Sequence, residues 1–295
     1  GAWVRRCRVP SMLPQLMEPD DMVTDTLQLV RALESGSMGS VWVAFNHALQ
    51  TEVAVKFMDD ALARDEKFVA RFIREARAAA KLKSGHVVKI QEIGQTSDQL
   101  PYIAMELLEG ESLKRRLARD VRLPMADTAI IVTHVCRALR EAHTQGFVHR
   151  DIKPANIFLT EQDEELFVKL IDFGVAKQQT DNLQMTQTYD RMGTPFYMAP
   201  EQLISAKHVD LRSDLWSLGV VAYTCLVGEV PFPAKSFADL CIAIANCEYD
   251  PPSRRRAELP SSVDAWFERV LVRDPKARFD DAKAMATAFR EAAEG

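Results

Sequence analysis

From Leu27 to Met58 apolar and polar positions alternate, with many β-branched residues among the apolar ones. This period of two predicts three successive strands, Leu27–Leu33, Val41–Asn46 and Glu52–Met58. From Arg64 to Lys83 the spacing lengthens, and Phe68, Phe72, Ala79 and Leu82 fall on one stripe of a helix. Two short strands follow at Val87–Ile93 and Tyr102–Met105. Beyond Gly110 the pattern is mostly helical. Pro124 opens and Gly146 closes a long amphipathic stretch, the usual asymmetry of helix ends. Further helices fit Asp210–Val227, Phe237–Ala245, Ser261–Leu271 and Asp280–Glu291. The pattern predicts an α+β chain in which a small strand-rich lobe precedes a larger helical one, with the junction between Glu106 and Gly110. No internal repeat is visible. Residues 1–24 read as an N-terminal extension or a cloning remnant, and the folded domain as 25–292, divided into lobes at 108/109.

Composition narrows the function classes. Of 295 residues, 47% are hydrophobic and 27% charged, the balance of a globular protein with a sizeable core. Thirty-seven basic residues against 42 acidic ones leave a net charge of −5, which gives no general reason to bind nucleic acid or an anionic membrane. The longest apolar run, Leu215–Val227, is too short to span a bilayer and is interrupted by Ser217 and Thr224. The first residues carry Arg5, Arg6 and Arg8 without the apolar run of a secretory signal. Five cysteines (Cys7, Cys136, Cys225, Cys241, Cys247) form no CxxC pair, and their odd number favours a reducing, cytoplasmic setting.

The candidate chemistry begins at Ser35-Gly36-Ser37-Met38-Gly39-Ser40, between two predicted strands. Glycines there would let backbone N–H groups approach an anion, although two glycines in a hairpin are also what a plain turn needs. In Val53-Ala54-Val55-Lys56 the period of two places Ala54 and Lys56 on one face, and a lysine in so apolar a strand calls for an anionic partner. Glu75 lies on the apolar stripe of the first helix. It either pairs with Arg71 one turn earlier at the surface or turns inward to hold Lys56. Then comes His149-Arg150-Asp151-Ile152-Lys153-Pro154-Ala155-Asn156, followed sixteen residues later by Asp172-Phe173-Gly174. Asp151, Lys153 and Asn156 offer a proton acceptor, a cation and an oxygen ligand in one short loop, and Asp172 adds the hard anionic oxygen that Mg²⁺ prefers.

Taken in this order, with Gly193-Thr194-Pro195-Phe196-Tyr197-Met198-Ala199-Pro200-Glu201 and Ser213-Asp214-Leu215-Trp216-Ser217-Leu218-Gly219, these segments resemble the eukaryotic-type protein Ser/Thr kinases, and most of all their bacterial branch. The resemblance runs from about Leu27 to Glu291 and implies a bilobal protein-kinase fold using ATP and Mg²⁺. It implies that Leu33, Val41 and Ala54 line the adenine, with Phe158 as floor, Met105 guarding the back pocket and the backbone of Glu106 to Leu108 on the adenine edge. The loop Glu34, Ser35, Gly36, Ser37, Met38, Gly39 and Ser40 would cover the phosphates. Lys56, held by Glu75, would bind the α- and β-phosphates, and Asn156 with Asp172 would hold Mg²⁺. Asp151 would accept the proton of the substrate hydroxyl, and Lys153 would steady the γ-phosphate. Glu201 would pair with Arg278, and Asp214 would anchor the backbone of the catalytic loop.

The resemblance also implies protein substrates with Ser or Thr acceptors, since Lys153 and Thr194 stand where the Ser/Thr class has them. Within the polar stretch Gln178–Arg191, Thr186 and Thr188 match autophosphorylated regulatory sites, with Arg150 as the receiver of the phosphate. No nucleic acid and no membrane contact is expected of this segment. The chain departs from the family pattern at Glu34, where the first loop glycine is usual, and at Phe158, where an aliphatic is commoner. The first departure leaves a pseudokinase, a nucleotide-binding scaffold, as the alternative. A small-molecule phosphotransferase of the same fold is disfavoured by the segment from Gly193 to Glu201. Arg254-Arg255-Arg256 reads as a solvated turn and not as a docking patch.

Overall fold

A computed structural model of the chain describes residues 17–36, 39–172, 195–204 and 209–295. The chain folds as two compact units, Gly1–Ala70 with Gln91–Leu107, and Arg71–Ile90 with Leu108–Gly295.

The first unit is built on a five-stranded sheet of β1 (Leu27–Gly36), β2 (Gly39–Asn46), β3 (Thr51–Met58), β4 (Ile90–Gln95) and β5 (Pro101–Glu106), in the order β1-β2-β3-β5-β4. Alternation sorts its two faces. Trp42, Ala44, Val53, Val55, Phe57, Tyr102 and Ala104 join Leu27 and Leu29 in one buried cluster. The antiparallel register pairs Val41 with Lys56, Val43 with Ala54 and Ala54 with Met105, so these residues share the other face. The segment set aside as an extension takes part from residue 20 onward. Asp20 N–H donates to Leu29 O at 2.8 Å, Leu29 N–H to Asp21 O at 2.8 Å, and Val23 is buried in the cluster. Thr24 turns the chain by accepting Leu27 N–H on its hydroxyl at 3.1 Å.

The helix expected over Arg64–Lys83 is α2 (Glu66–Ala79), and a short α1 (Asp60–Ala63) precedes it. Asp59 caps the first by accepting Ala61 N–H at 2.9 Å, and Asp65 accepts Lys67 N–H at 2.8 Å where the second begins. Asp65 thus sets the start of α2 two residues inside the expected bound. The strand expected over Val87–Ile93 divides. Val87 and Val88 are buried in the second unit and bond to Leu170, whereas β4 starts only at Ile90.

The second unit contains a small sheet of β6 (Glu111–Ser112), β7 (Ile157–Gln162) and β8 (Glu165–Leu170), which a reading of mostly helix after Gly110 misses. Gly110 has φ +133°, and a Cβ there would lie 2.1 Å from Leu159 O, so only glycine lets the chain enter this sheet. The helices are α3 (Leu113–Asp120), α4 (Met125–Thr144), α5 (Pro200–Ile204), α6 (Leu211–Val227), α7 (Phe237–Asn246), α8 (Pro252–Arg255), α9 (Ser261–Val270) and α10 (Ala282–Glu294). Every residue of α6 from Ser213 to Leu226 is buried, the mark of a core helix and not an amphipathic surface one. Asp210 caps its start through Arg212 N–H at 2.8 Å, and Gly228 ends it in the left-handed region at φ +91°. Around α6 pack α4 and α9, and α4 also packs on β8 and α10. Among the described residues no helix is long and apolar enough to cross a membrane.

A buried ion pair ties α5 to the loop before α10. Arg278 is 1% exposed, yet all its donor nitrogens are used. Its Nη1 and Nη2 meet Glu201 Oε1 and Oε2 at 2.8 and 2.9 Å, and its nitrogens also reach the carbonyls of Val272, Arg212 and Arg273. The guanidinium lies 4.8 Å from the Trp216 ring centre, and Ser213 Oγ donates to Glu201 Oε1 at 2.6 Å. Arg255 and Arg256 are likewise engaged in ion pairs with Glu229 and Glu258. Arg256 Nη1 also donates to Leu123 O at 2.7 Å and Leu226 O at 3.1 Å, so it joins the end of α6 to the turn before α4 instead of lying solvated.

Two stacked rings form a second polar inclusion. His86 and His134 stack with centroids 4.2 Å apart, and His86 lies 4.5 Å from Phe167. His86 Nδ1 meets Val168 O at 2.9 Å, a contact that a protonated Nδ1 makes. Burial holds the His86 imidazolium below its ordinary pKa, the Val168 carbonyl opposes this, and Arg137 and Lys169 add to it. Burial, then His86 and Arg137, push His134 down to about 4.

Two expected outcomes follow from this packing. Arg278→Met leaves the Glu201 carboxylate without its partner and is expected to lower stability by roughly 3–5 kcal/mol in urea denaturation. Arg278→Lys is expected not to restore it, because an ammonium cannot supply a planar fork to acceptors on several sides; wild-type stability for that variant would contradict the argument. For the histidines, the unfolded chain binds more protons than the native one below the ordinary histidine value of 6.5. The contribution of His134 is full above that value and is lost as pH falls towards about 4, and His86 acts in the same direction. His134→Phe is therefore expected to flatten the fall in Tm over this window, and an unchanged slope would rule His134 out as its source.

Candidate active site

The loop 149–156 joins the end of α4 to β7 and is held from beneath by α6. Asp214, in the first turn of α6, is wholly buried. Its Oδ2 accepts His149 N–H at 2.8 Å and meets His143 Nε2 at 2.8 Å, and its Oδ1 accepts Arg150 N–H at 2.7 Å. Three donors and the positive end of the helix compensate a charge that burial would otherwise expel. Arg150 is drawn into the left-handed region at φ +63°, a conformation that persists only where its surroundings impose it.

Beyond that bend Asp151 is buried. Lys153 Nζ lies 2.8 Å from its Oδ2, and Asn156 Nδ2 donates both to that oxygen and to the Asp151 carbonyl, each at 2.9 Å. Pro154 starts the short 3-10 turn Pro154–Asn156, which presents Asn156 from a fixed backbone. Ile171 N–H donates to Asn156 O at 2.9 Å, so the end of β8 is fastened to the same turn and Asp172 follows directly, at φ +58°. His149 lies within reach of all these charges. Burial lowers its pKa, the carboxylates of Asp214, Asp151 and Asp172 raise it, and Lys153 lowers it. The second unit thus brings Asp151, Lys153, Asn156 and Asp172 together.

A divalent cation fits this donor set. The two Asn156 N–H bonds to Asp151 fix the sense of its amide and leave Oδ1 as the remaining donor atom, and the backbone bond from Ile171 N–H to Asn156 O holds the residue before Asp172 to the same turn. Among the described residues no three His, Cys, Asp or Glu side chains form a metal cage. Mg²⁺ does not require one, because it is ordinarily held by one or two protein oxygens together with phosphate and water.

The first unit carries the other expected residues. Val41, Ala54, Lys56 and Met105 share the sheet face opposite the buried cluster. Gly39 closes the β1–β2 register against Gly36 at φ +124°, where a Cβ would fall 1.9 Å from Phe57 O. Leu33 and Glu34 are exposed beside a register shift in β1. A solvent-facing Glu34 gives the pseudokinase alternative no support. Glu106 ends β5, Ser40 lies in β2, and Ser35 and Gly36 end β1. In the second unit, Glu75 lies on α2, Leu108 follows β5, and half-buried Phe158 lies on β7 between Ile157 and Leu159, which enter the core. Ser37, Met38, Phe173, Gly174, Thr186, Thr188, Gly193 and Thr194 lie outside the described residues.

Sequence reasoning missed two groups. One is His143, which no local pattern marks as a partner of Asp214. Gln202 donates from Nε2 to Arg150 O at 3.2 Å and accepts Ala199 N–H on Oε1 at 2.8 Å. Its partners are backbone atoms, which leave no trace in side-chain spacing.

Comparison with known proteins agrees with this geometry. The model of the protein kinase domain matches residues 27–289. Serine/threonine-protein kinase PknB of Mycobacterium leprae is 36% identical over 266 residues, which are 89% of this chain and 42% of that protein. Serine/threonine-protein kinase pkn3 of Myxococcus xanthus is 34% identical over 281 residues, 92% of this chain and 51% of that one. The chain thus spans about half the length of these relatives, or somewhat less. The crystal structure of the PknI kinase domain of Mycobacterium tuberculosis superposes with a TM-score of 0.75 at 28% identity, covering 95% of this chain and all of that one. With its α+β architecture, its buried Asp214 and the loop that Asp214 holds, this chain belongs to the protein kinase domain family.

Proposed function

We propose that the chain transfers the γ-phosphoryl group of ATP to Ser or Thr hydroxyls of protein substrates. The observation that carries this reading is the convergence of Lys153 Nζ and Asn156 Nδ2 on one carboxylate oxygen of buried Asp151. Phosphoryl transfer asks little covalent chemistry of a protein and much positioning and charge compensation, which is what this loop offers. Relatives named serine/threonine-protein kinases, at 34–36% identity over most of the chain, support it.

In this reading Asp151 orients the acceptor hydroxyl and takes its proton, while Lys153 balances charge on the moving phosphoryl group. Asn156 and Asp172 hold Mg²⁺, which when bound neutralises the phosphate oxygens. Lys56 binds the α- and β-phosphates and Glu75 holds Lys56. Leu33, Val41, Ala54, Met105 and Phe158 enclose the adenine, the backbone of Glu106 to Leu108 bonds its edge, and the loop from Glu34 to Ser40 covers the phosphates. Thr186 and Thr188 are the regulatory acceptors. ATP as donor and the free thiols of Cys136, Cys225, Cys241 and Cys247 suit a cytoplasmic setting.

The test is incubation with labelled ATP and Mg²⁺, with and without dephosphorylated casein, followed by phosphosite mapping. Label is expected on Ser and Thr only, and within the chain on Thr186 or Thr188. Absence of label on both proteins would refute the activity, and label confined to other residues of the chain would refute the regulatory sites alone. Asp151→Asn is expected to lower kcat by orders of magnitude with nucleotide binding retained, whereas Asp172→Asn is expected to weaken Mg²⁺-dependent nucleotide binding as well. A wild-type rate from Asp151→Asn would remove it from the mechanism.

Lys56 and Glu75 are expected to act as a unit. Lys56→Met and Glu75→Gln each lose most of the activity, and the double variant loses little more. Fully additive losses in kcat/KM would show that the two side chains do not cooperate.

A further inference from the structure

The peptide group between Arg150 and Asp151 is held at every polar atom. Its carbonyl accepts from Gln202 Nε2 at 3.2 Å, and its N–H points to His149 Nδ1 at 3.3 Å. One residue earlier, Arg150 N–H is taken by Asp214 Oδ1 at 2.7 Å. Arg150 is in the left-handed region at φ +63°, a strained conformation that persists because these partners hold it, and the orientation of the peptide plane is held with it. The plane sets the direction of the Cα–Cβ bond of Asp151. Any rotation of it swings the carboxylate that receives Lys153 and Asn156.

Gln202 is suited to this task by its chemistry. An amide carries donors on one side of a planar head and an acceptor on the other. Here the acceptor satisfies Ala199 N–H at 2.8 Å, at the opening turn of α5, and a donor meets the catalytic loop. The preceding residue, Glu201, is locked by both terminal nitrogens of Arg278. The backbone from which Gln202 projects is therefore fixed, and so is the reach of its side chain. Glutamate would set a second acceptor against the Arg150 carbonyl, asparagine is one methylene shorter, and methionine offers no N–H.

We propose that Gln202 is a positioning residue for the phosphoryl-transfer step. By holding the Arg150 carbonyl it fixes the aim of Asp151, and it transmits the Glu201–Arg278 brace to the catalytic loop. This rests on the reading of Asp151 as the group that orients the acceptor hydroxyl.

The experiment compares wild type, Gln202→Glu, Gln202→Met and Asp151→Asn, and each Gln202 substitution in the Asp151→Asn background. The full chain is used, with labelled ATP, Mg²⁺ and dephosphorylated casein. Gln202→Glu keeps the acceptor for Ala199 N–H and replaces the donor with an oxygen that repels the Arg150 carbonyl; Gln202→Met keeps the length without charge and stands in if the glutamate variant folds poorly. The expected result is a kcat lowered by about ten- to a hundredfold, since a small misplacement of a reacting group costs on that order. KM for ATP and Tm are expected to stay at wild-type values, and the substitutions to add nothing to the residual rate of Asp151→Asn. A kcat unchanged in both single variants, or losses that multiply fully with that of Asp151→Asn, would overturn the proposal. An Asp151→Asn enzyme as fast as wild type would instead overturn the reading of Asp151 itself, and this proposal with it.

Discussion

The placement of the catalytic loop depends on one buried carboxylate. Asp214 lies at the start of a helix that is apolar on nearly all sides, where an uncompensated charge would cost several kcal/mol. It is tolerated because three N–H groups converge on it, two of them from consecutive residues of the loop. Taking both amides forces a bend at Arg150 that no regular strand or helix supplies. The bend in turn directs Asp151 to where Lys153 and Asn156 can reach it. The depth of α6 in its unit and the aim of the Asp151 carboxylate are thus consequences of the same packing.

The first unit solves a different problem, which is to present a cation and apolar surface on one face of a sheet without losing them to the core. Strict alternation does this. The register that buries Val53, Val55 and Phe57 on one face leaves Ala54 and Lys56 on the other, opposite Val43 and Val41. Slipping β3 by one residue would bury the lysine and expose the core. Gly39 protects that register, since any side chain there would strike the Phe57 carbonyl.

Where local chemistry and pattern agreed, the sequence was a faithful guide. The alternation of β2 and β3 gave both strands nearly to the residue, and the apolar run with Asp210 before it and Gly228 after it gave α6. It failed where a decision belonged to contacts between distant segments. Val87 and Val88 look like the opening of a strand, yet their partner is Leu170, and Val87 belongs to the core of the second unit. The hairpin of β7 and β8 is short and lies in a region otherwise helical in pattern.

The same distinction separates what was legible in the site from what was not. Asp151, Lys153, Asn156 and Asp172 are recognisable because reaction chemistry restricts residue type and because most of them lie on one short loop. Gln202 and His143 act at one remove, through a backbone carbonyl 52 residues away and a carboxylate 71 residues away. A backbone carbonyl is the same for every residue, so nothing at position 150 advertises the need for a glutamine at 202. Groups that do chemistry therefore surface as motifs. Groups that aim the chemistry surface only when the fold brings side chain and main chain together, and the strained peptide at Arg150 is the place to look for them, because strain persists only where something holds it.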